Sequence, residues 1–169
     1  MDGYTDVSQV PNSVCIYALY AGKGRNQYVV YVGKTKHLRK RINEHLIACD
    51  SSINTATAAA RLNPSQVTGV RWWKFEEYAD QPERLEAAEL VAFNVLKPVL
   101  GSNGNPTKSA KAILEKDTPF ETKMSQRFKS EPSGHLRWGG GVDLENILER
   151  LSKVESELAQ IKKTHTASA

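Results

Sequence analysis

Cysteine is nearly absent: Cys15 and Cys49 are the only two in 169 residues. No CxxC or Cys/His spacing accompanies them, which excludes a zinc site of the usual kind. They read as reduced thiols, one inside a buried strand and one near a helix end. Long apolar runs are missing as well. No stretch reaches the roughly 18 residues that a membrane-spanning helix needs, and the N-terminus Met1-Asp2-Gly3-Tyr4-Thr5-Asp6 is acidic where a secretory leader is positive and then apolar. A cytoplasmic protein is the expectation. The formal charge is only +4, but acidic residues are absent between Gly22 and Arg41, where Lys23, Arg25, Lys34, Lys36, Arg39, Lys40 and Arg41 crowd together. Such a cluster is most often a solvated face, yet it also suits a polyanion. The length suggests one domain with an appendage.

Two runs rich in β-branched and aromatic residues, 14–20 and 27–33, flank the turn Ala21-Gly22-Lys23-Gly24-Arg25-Asn26 and predict a β-hairpin. After Gly33 the period changes. Thr35 can cap a helix whose apolar residues Leu38, Ile42 and Leu46 recur every fourth position, with Arg41 and His45 one turn apart beside them. A strand end, a lysine and a helix bearing an arginine and a histidine therefore converge, with tyrosines on both strands.

Residues 1–12 read as a lead-in, and 50–66 as an Ala-rich short helix or a loop. A third strand is predicted over 67–75, with Trp72 and Trp73 on opposite faces. Asp80-Gln81-Pro82-Glu83 is a helix start with an acidic cap, and Pro98 ends that helix near Lys97. Its inward stripe of Leu85, Ala88, Ala92, Phe93 and Leu96 is interrupted by Glu89. A carboxylate on such a face must be paired, protonated or bound to a cation, because leaving it charged and alone costs several kcal/mol. Residues 106–142 turn to Lys, Ser, Thr, Pro and Gly and read as a partly ordered linker, with a helical turn or two near Ala110–Lys116. Over 143–163, Leu144, Ile147, Leu151, Val154, Leu158 and Ile161 form a heptad seam, followed by a tail at 164–169. Parallel pairing sets Arg150 opposite Glu155 and Glu157 opposite Lys162, so a homo-oligomer, dimer or tetramer, is the expectation; a helix folding back on its own domain is the alternative.

Cys15-Ile16-Tyr17 and Tyr31-Val32-Gly33 stand where the GIY-YIG endonucleases have Gly-Ile-Tyr and Tyr-Ile-Gly, and the chain resembles that family. The resemblance implies an α/β (α+β) domain at 13–105, a small three-stranded antiparallel sheet flanked by helices, followed here by the coiled-coil-like helix. It places the family's catalytic arginine at Arg41, the histidine or tyrosine one turn later at His45, a lysine at Lys34, and the metal-binding glutamate at Glu89, nine residues before Pro98. Glu86 is the alternative carboxylate. The family's asparagine beyond that proline is Gly101 here, so Asn103 or Asn105 would take its place. Glu89 would then hold Mg²⁺ or Mn²⁺ on a phosphate, Tyr17 would act as base with His45 relaying its proton, and Tyr31 would orient water, though the two tyrosines can exchange roles. Arg41 would clamp the phosphate with help from Lys34. Lys23, Arg25, Lys36, Arg39 and Lys40 would lie along duplex DNA. These features lead to a metal-dependent DNA endonuclease of restriction or defence type, with a repair, phage or mobile-element nuclease, or a catalytically silent nucleic-acid-binding scaffold, as the alternatives.

Overall fold

Strand β1, Cys15–Ala21, is the centre of the structure because every one of its residues is buried. Both faces of a strand can be covered only when layers lie above and below it and other strands lie on either side. The computed structural model describes residues 7–22, 24–46, 66–100 and 106–138. In it β1 lies between β2, Tyr28–Thr35, and β3, Val67–Lys74, both antiparallel to it. A fourth strand, β4, Gly134–Arg137, pairs with the far side of β3, so the order is β2-β1-β3-β4. The sheet thus has four strands where three are expected from the sequence.

The hairpin turn between β1 and β2 is tight at Gly22, whose φ of +79° is a left-handed conformation. A Cβ there would also meet the Asn26 carbonyl oxygen at 2.3 Å, so glycine is required twice over. On one face of the sheet lies α1, Leu38–Leu46, packed through Leu38, Ile42 and Leu46 against Cys15, Tyr17, Leu19 and Trp72. Thr35 accepts a hydrogen bond at 3.0 Å from the His37 N–H and so turns the chain into this helix. The lead-in is not idle: Val10 is buried on the same face, and Arg39 of α1 donates to the carbonyls of Ser8 and Val10 at 2.8 and 2.9 Å.

The opposite face carries three helices: α2, Pro82–Leu96; α3, Lys108–Lys116; and α4, Thr118–Lys129. Gln81, not Asp80, takes the cap position of α2, without a side-chain hydrogen bond. Wedged between the sheet and the other two helices, α2 buries Ala87, Leu90 and Val91 as well as Leu85, Ala88 and Ala92. Beyond it, Val99 and Leu100 donate to the carbonyls of Val29 and Val30, continuing the outer edge of β2.

Residues 106–138, which read as a partly ordered linker, contain two helices and a strand. Thr107 caps α3 by accepting from the Ala110 N–H at 3.2 Å, and Asp117 caps α4 by accepting from Phe120 at 3.0 Å. Phe120, Met124 and Phe128 of α4 are buried, with Phe128 edge-on to Trp73 at 5.3 Å. Burying each such side chain contributes about 1.5–3 kcal/mol, enough to order a stretch whose composition is otherwise polar. Arg127 then locks α4 to β3, donating to the Lys74 carbonyl and to Glu77 while lying 4.0 Å over the Phe75 ring. Trp72 and Trp73 do face opposite sides, and both are buried. The Ala-rich segment before Ser65, Cys49 and the heptad helix lie outside the described residues.

Candidate active site

Gly33 of β2 is where the polar groups gather. The register sets Tyr17 opposite Gly33 and Leu19 opposite Tyr31, so both tyrosines project from the α1 face. Their rings close over the missing side chain, since a Cβ on Gly33 would lie 2.8 Å from both Tyr17 Oη and Tyr31 Cε1. From above, α1 brings Arg41 and His45 down one turn apart. His45 Nε2 is 2.6 Å from Tyr17 Oη, and its ring meets that of Tyr31 edge-on at 5.7 Å. Tyr17 is 0% exposed and His45 1% exposed, so this histidine is not a surface residue beside the stripe but part of the core.

Burial dominates the electrostatics. It holds the Tyr17 hydroxyl well above the usual tyrosine range, Tyr31 adds to the effect, and the Arg41 guanidinium opposes it. Burial, then the charge of Glu89, raise Tyr31 likewise. His45 is pushed down to about 3, first by burial and then by Arg41. At neutral pH both phenols keep their protons and the imidazole is uncharged. The Arg41 charge bears on both tyrosine hydroxyls, and its Nη1 donates to Glu44 at 3.0 Å.

The second half of the site comes from the other side of β2. Lys34 donates to Glu89 Oε2 on α2 at 2.6 Å, with 36% and 22% of the two side chains exposed. Glu86, one turn earlier, has other work: it accepts from the Thr107 N–H at 3.1 Å and from the Thr107 hydroxyl at 2.7 Å, fixing the start of α3. Glu89 is therefore the carboxylate of α2 that faces the cluster. No group of three or more potential metal-ligating side chains occurs among the described residues.

Tyr17, Tyr31, Arg41 and His45 thus come together around Gly33, and Lys34 and Glu89 pair beside it. A hollow of about 230 Å³ opens over Lys34, Thr35, His37, Lys40, Arg41 and Glu44, and Lys36 next to it is exposed. Arg39 points elsewhere, into the lead-in carbonyls, and Arg25 is exposed in the hairpin turn. Lys23, Asn103 and Asn105 lie outside the described residues. Sequence reasoning misses Glu44, which pairs with Arg41 and lies 3.8 Å from Lys40; its spacing of three and four residues from those cations was the available signal.

A permanent cation above two phenols and a neutral imidazole, with a carboxylate at the rim, has the parts needed to attack a phosphodiester: an anion clamp, proton-transfer groups and a hard oxygen ligand. The family model described as the GIY-YIG catalytic domain matches residues 13–98. The chain belongs to this family; it is a nuclease of the GIY-YIG type, a phosphodiester hydrolase whose substrate is nucleic acid. Comparison with curated proteins and with solved structures gives no match.

Proposed function

We propose that the chain is a divalent-metal-dependent DNA endonuclease of restriction or defence type, acting in the cytoplasm as a homo-oligomer. The observation that carries the catalytic reading is the convergence on Gly33 of Tyr17, Arg41 and His45 with the Lys34–Glu89 pair. Glu89 fits a hard ion such as Mg²⁺ or Mn²⁺, being a half-buried carboxylate that already attracts a cation, the Lys34 ammonium. A site with so few protein ligands suits an ion that keeps most of its waters. When bound, that ion supplies positive charge to the phosphate and its leaving oxygen.

The chain's own residues account for the rest. Arg41, always charged and held by Glu44, accepts the scissile phosphate. Tyr17 takes a proton from the attacking water as its own passes to His45 Nε2, in the tautomer that leaves this nitrogen bare. An imidazole pushed down to about 3 is a weak acceptor, but the charge of Arg41 is part of the cause. A phosphate on Arg41 offsets that charge, so substrate binding itself makes His45 more basic.

Oligomerisation through 143–163 rests on the heptad seam and its complementary charges. Two sites held together can cut both strands of a duplex. The defence reading rests on the small catalytic domain of residues 13–98 followed by the heptad seam. The test is purified protein on plasmid DNA in Mg²⁺, Mn²⁺ or EDTA beside Glu89→Ala. Discrete double-strand fragments with metal, lost in EDTA and by at least about 10²-fold in the variant, are expected. Metal-independent cutting, or cutting retained by Glu89→Ala, would sink the proposal.

A further inference from the structure

The family match ends at residue 98, yet the sheet continues to β4, which β3 places at the edge opposite β2. On this edge the strand register builds a second basic surface. Arg71 stands opposite His135, and Gly69 stands opposite Arg137, so Arg71, His135 and Arg137 project from one face. That is the face α2 and α4 cover near Trp73, but here it is open. A groove of about 880 Å³ runs between Gly22, Gly24 and Gln27 of the hairpin turn and the β4 edge. Its floor is low because Gly69 has no side chain.

Arg71 is set in place within it: the guanidinium lies 4.3 Å over the Tyr20 ring and donates to Gln27 Oε1 at 2.9 Å. At one end the Trp138 backbone N–H donates to the Thr68 carbonyl at 3.0 Å and fixes the edge of β4. Arg137 and His135 are exposed, and Glu131 is the one carboxylate among the described residues lining the groove. Two permanent cations and an exposed imidazole beside the Tyr20 ring make a surface complementary to a phosphodiester strand. Lys34 stands opposite Ile16 and Ile16 opposite Trp73, so the Arg71 backbone is two strands and two residues from that of Lys34, about 12 Å by sheet spacing. Arg71 projects from the face away from Tyr17, Arg41 and His45, so one strand reaches both sites by passing round the edge of the sheet.

We propose that this groove, with Arg71 and Arg137 as its phosphate contacts, is a second nucleic-acid-binding site that holds the substrate strand flanking the bond cut at Gly33. The inference rests on the nuclease reading, and adds an anchor whose β4 side, His135 and Arg137, lies beyond the matched residues 13–98. It is tested by fluorescence anisotropy of the full chain with a mixed-sequence duplex in EDTA, across a salt series. Arg137→Ala and Arg71→Gln should each weaken binding about tenfold and lower the slope of log K against log salt by about 0.9, one phosphate contact. Arg137→Lys should restore the slope. Arg84→Ala removes an equal charge from α2, where Arg84 faces Asp117 at 3.6 Å, and should leave both quantities unchanged. Circular dichroism melting of each variant verifies the fold. Wild-type affinity and slope in Arg137→Ala and Arg71→Gln would overturn the inference while leaving the cleavage assay untouched. An equal loss in Arg84→Ala would overturn it too, by reducing the effect to net charge. A wild-type chain that binds no nucleic acid in this assay but cuts plasmid with metal also overturns it, whereas failure of both assays removes the nuclease reading as well.

Discussion

The two faces of β1 are equally buried but do different things. Ile16, Ala18 and Tyr20 join Trp73, Phe75, Met124 and Phe128 in an apolar core under three helices. Cys15, Tyr17 and Leu19 face the single short helix α1, and there the buried set includes a phenol and an imidazole 2.6 Å apart. A thick layer can seal apolar groups away from water. A thin one, at the sheet edge, can bury proton-transfer groups while leaving Arg41 at the rim for a ligand. Stability is therefore concentrated on one face and the proton-transfer groups on the other, with Lys34 and Glu89 joining them from the α2 side at the β2 edge.

That division predicts separable failures. Phe128→Ala, which removes ring contacts with Trp73 and Phe75, should cost about 4 kcal/mol in urea unfolding. The variant should still cleave at the wild-type rate per folded molecule at low temperature; loss of cleavage without loss of stability would break the division. Gly33→Ala is the converse. Its Cβ must displace both tyrosine rings, so single-turnover cleavage should fall about 10²-fold for a shift of about 1 Å. Unfolding should change much less than in Phe128→Ala.

The smallest effect is on pH dependence. His45 is uncharged in the fold, with its pKa lowered to about 3 from 6.5. Its contribution is therefore fully present above pH 6.5 and is lost as pH falls toward 3, because only the unfolded chain takes up the proton in that window. Between pH 8 and pH 5 the loss is about 2 kcal/mol, and denaturant midpoints should show His45→Asn losing that much less than wild type. An identical pH slope in the two proteins would mean that the imidazole is not held neutral.

These distinctions were unevenly legible in the sequence. The hairpin, α1 and the third strand follow from strong periodicity, and Glu89 announces itself as a charge on an apolar stripe. The region of α3, α4 and β4 does not, because Thr107, Asp117 and Pro119 resemble turn residues as much as helix starts. Phe120, Met124 and Phe128, spaced by four, were the signal hidden under the lysines and serines. Four-residue β4 owes its place to β3: a side chain at Gly134 would strike the Trp72 ring at 2.5 Å, a constraint visible only once the strands are paired. Nor could spacing reveal that Arg39 binds backbone carbonyls while Arg41, two residues on, faces the tyrosines. The direction of each side chain depends on what the lead-in and β1 present to α1.

The central claim is that the buried phenol against Gly33 takes part in hydrolysis, and Tyr17→Phe tests it most directly. Phenylalanine keeps the ring in its slot and removes only the hydroxyl that meets His45. Under single-turnover conditions with saturating Mg²⁺, the cleavage rate should drop by about 10²- to 10⁴-fold, the range for loss of a general acid–base group, with the melting temperature little changed. Cleavage by Tyr17→Phe at the wild-type rate would contradict the account.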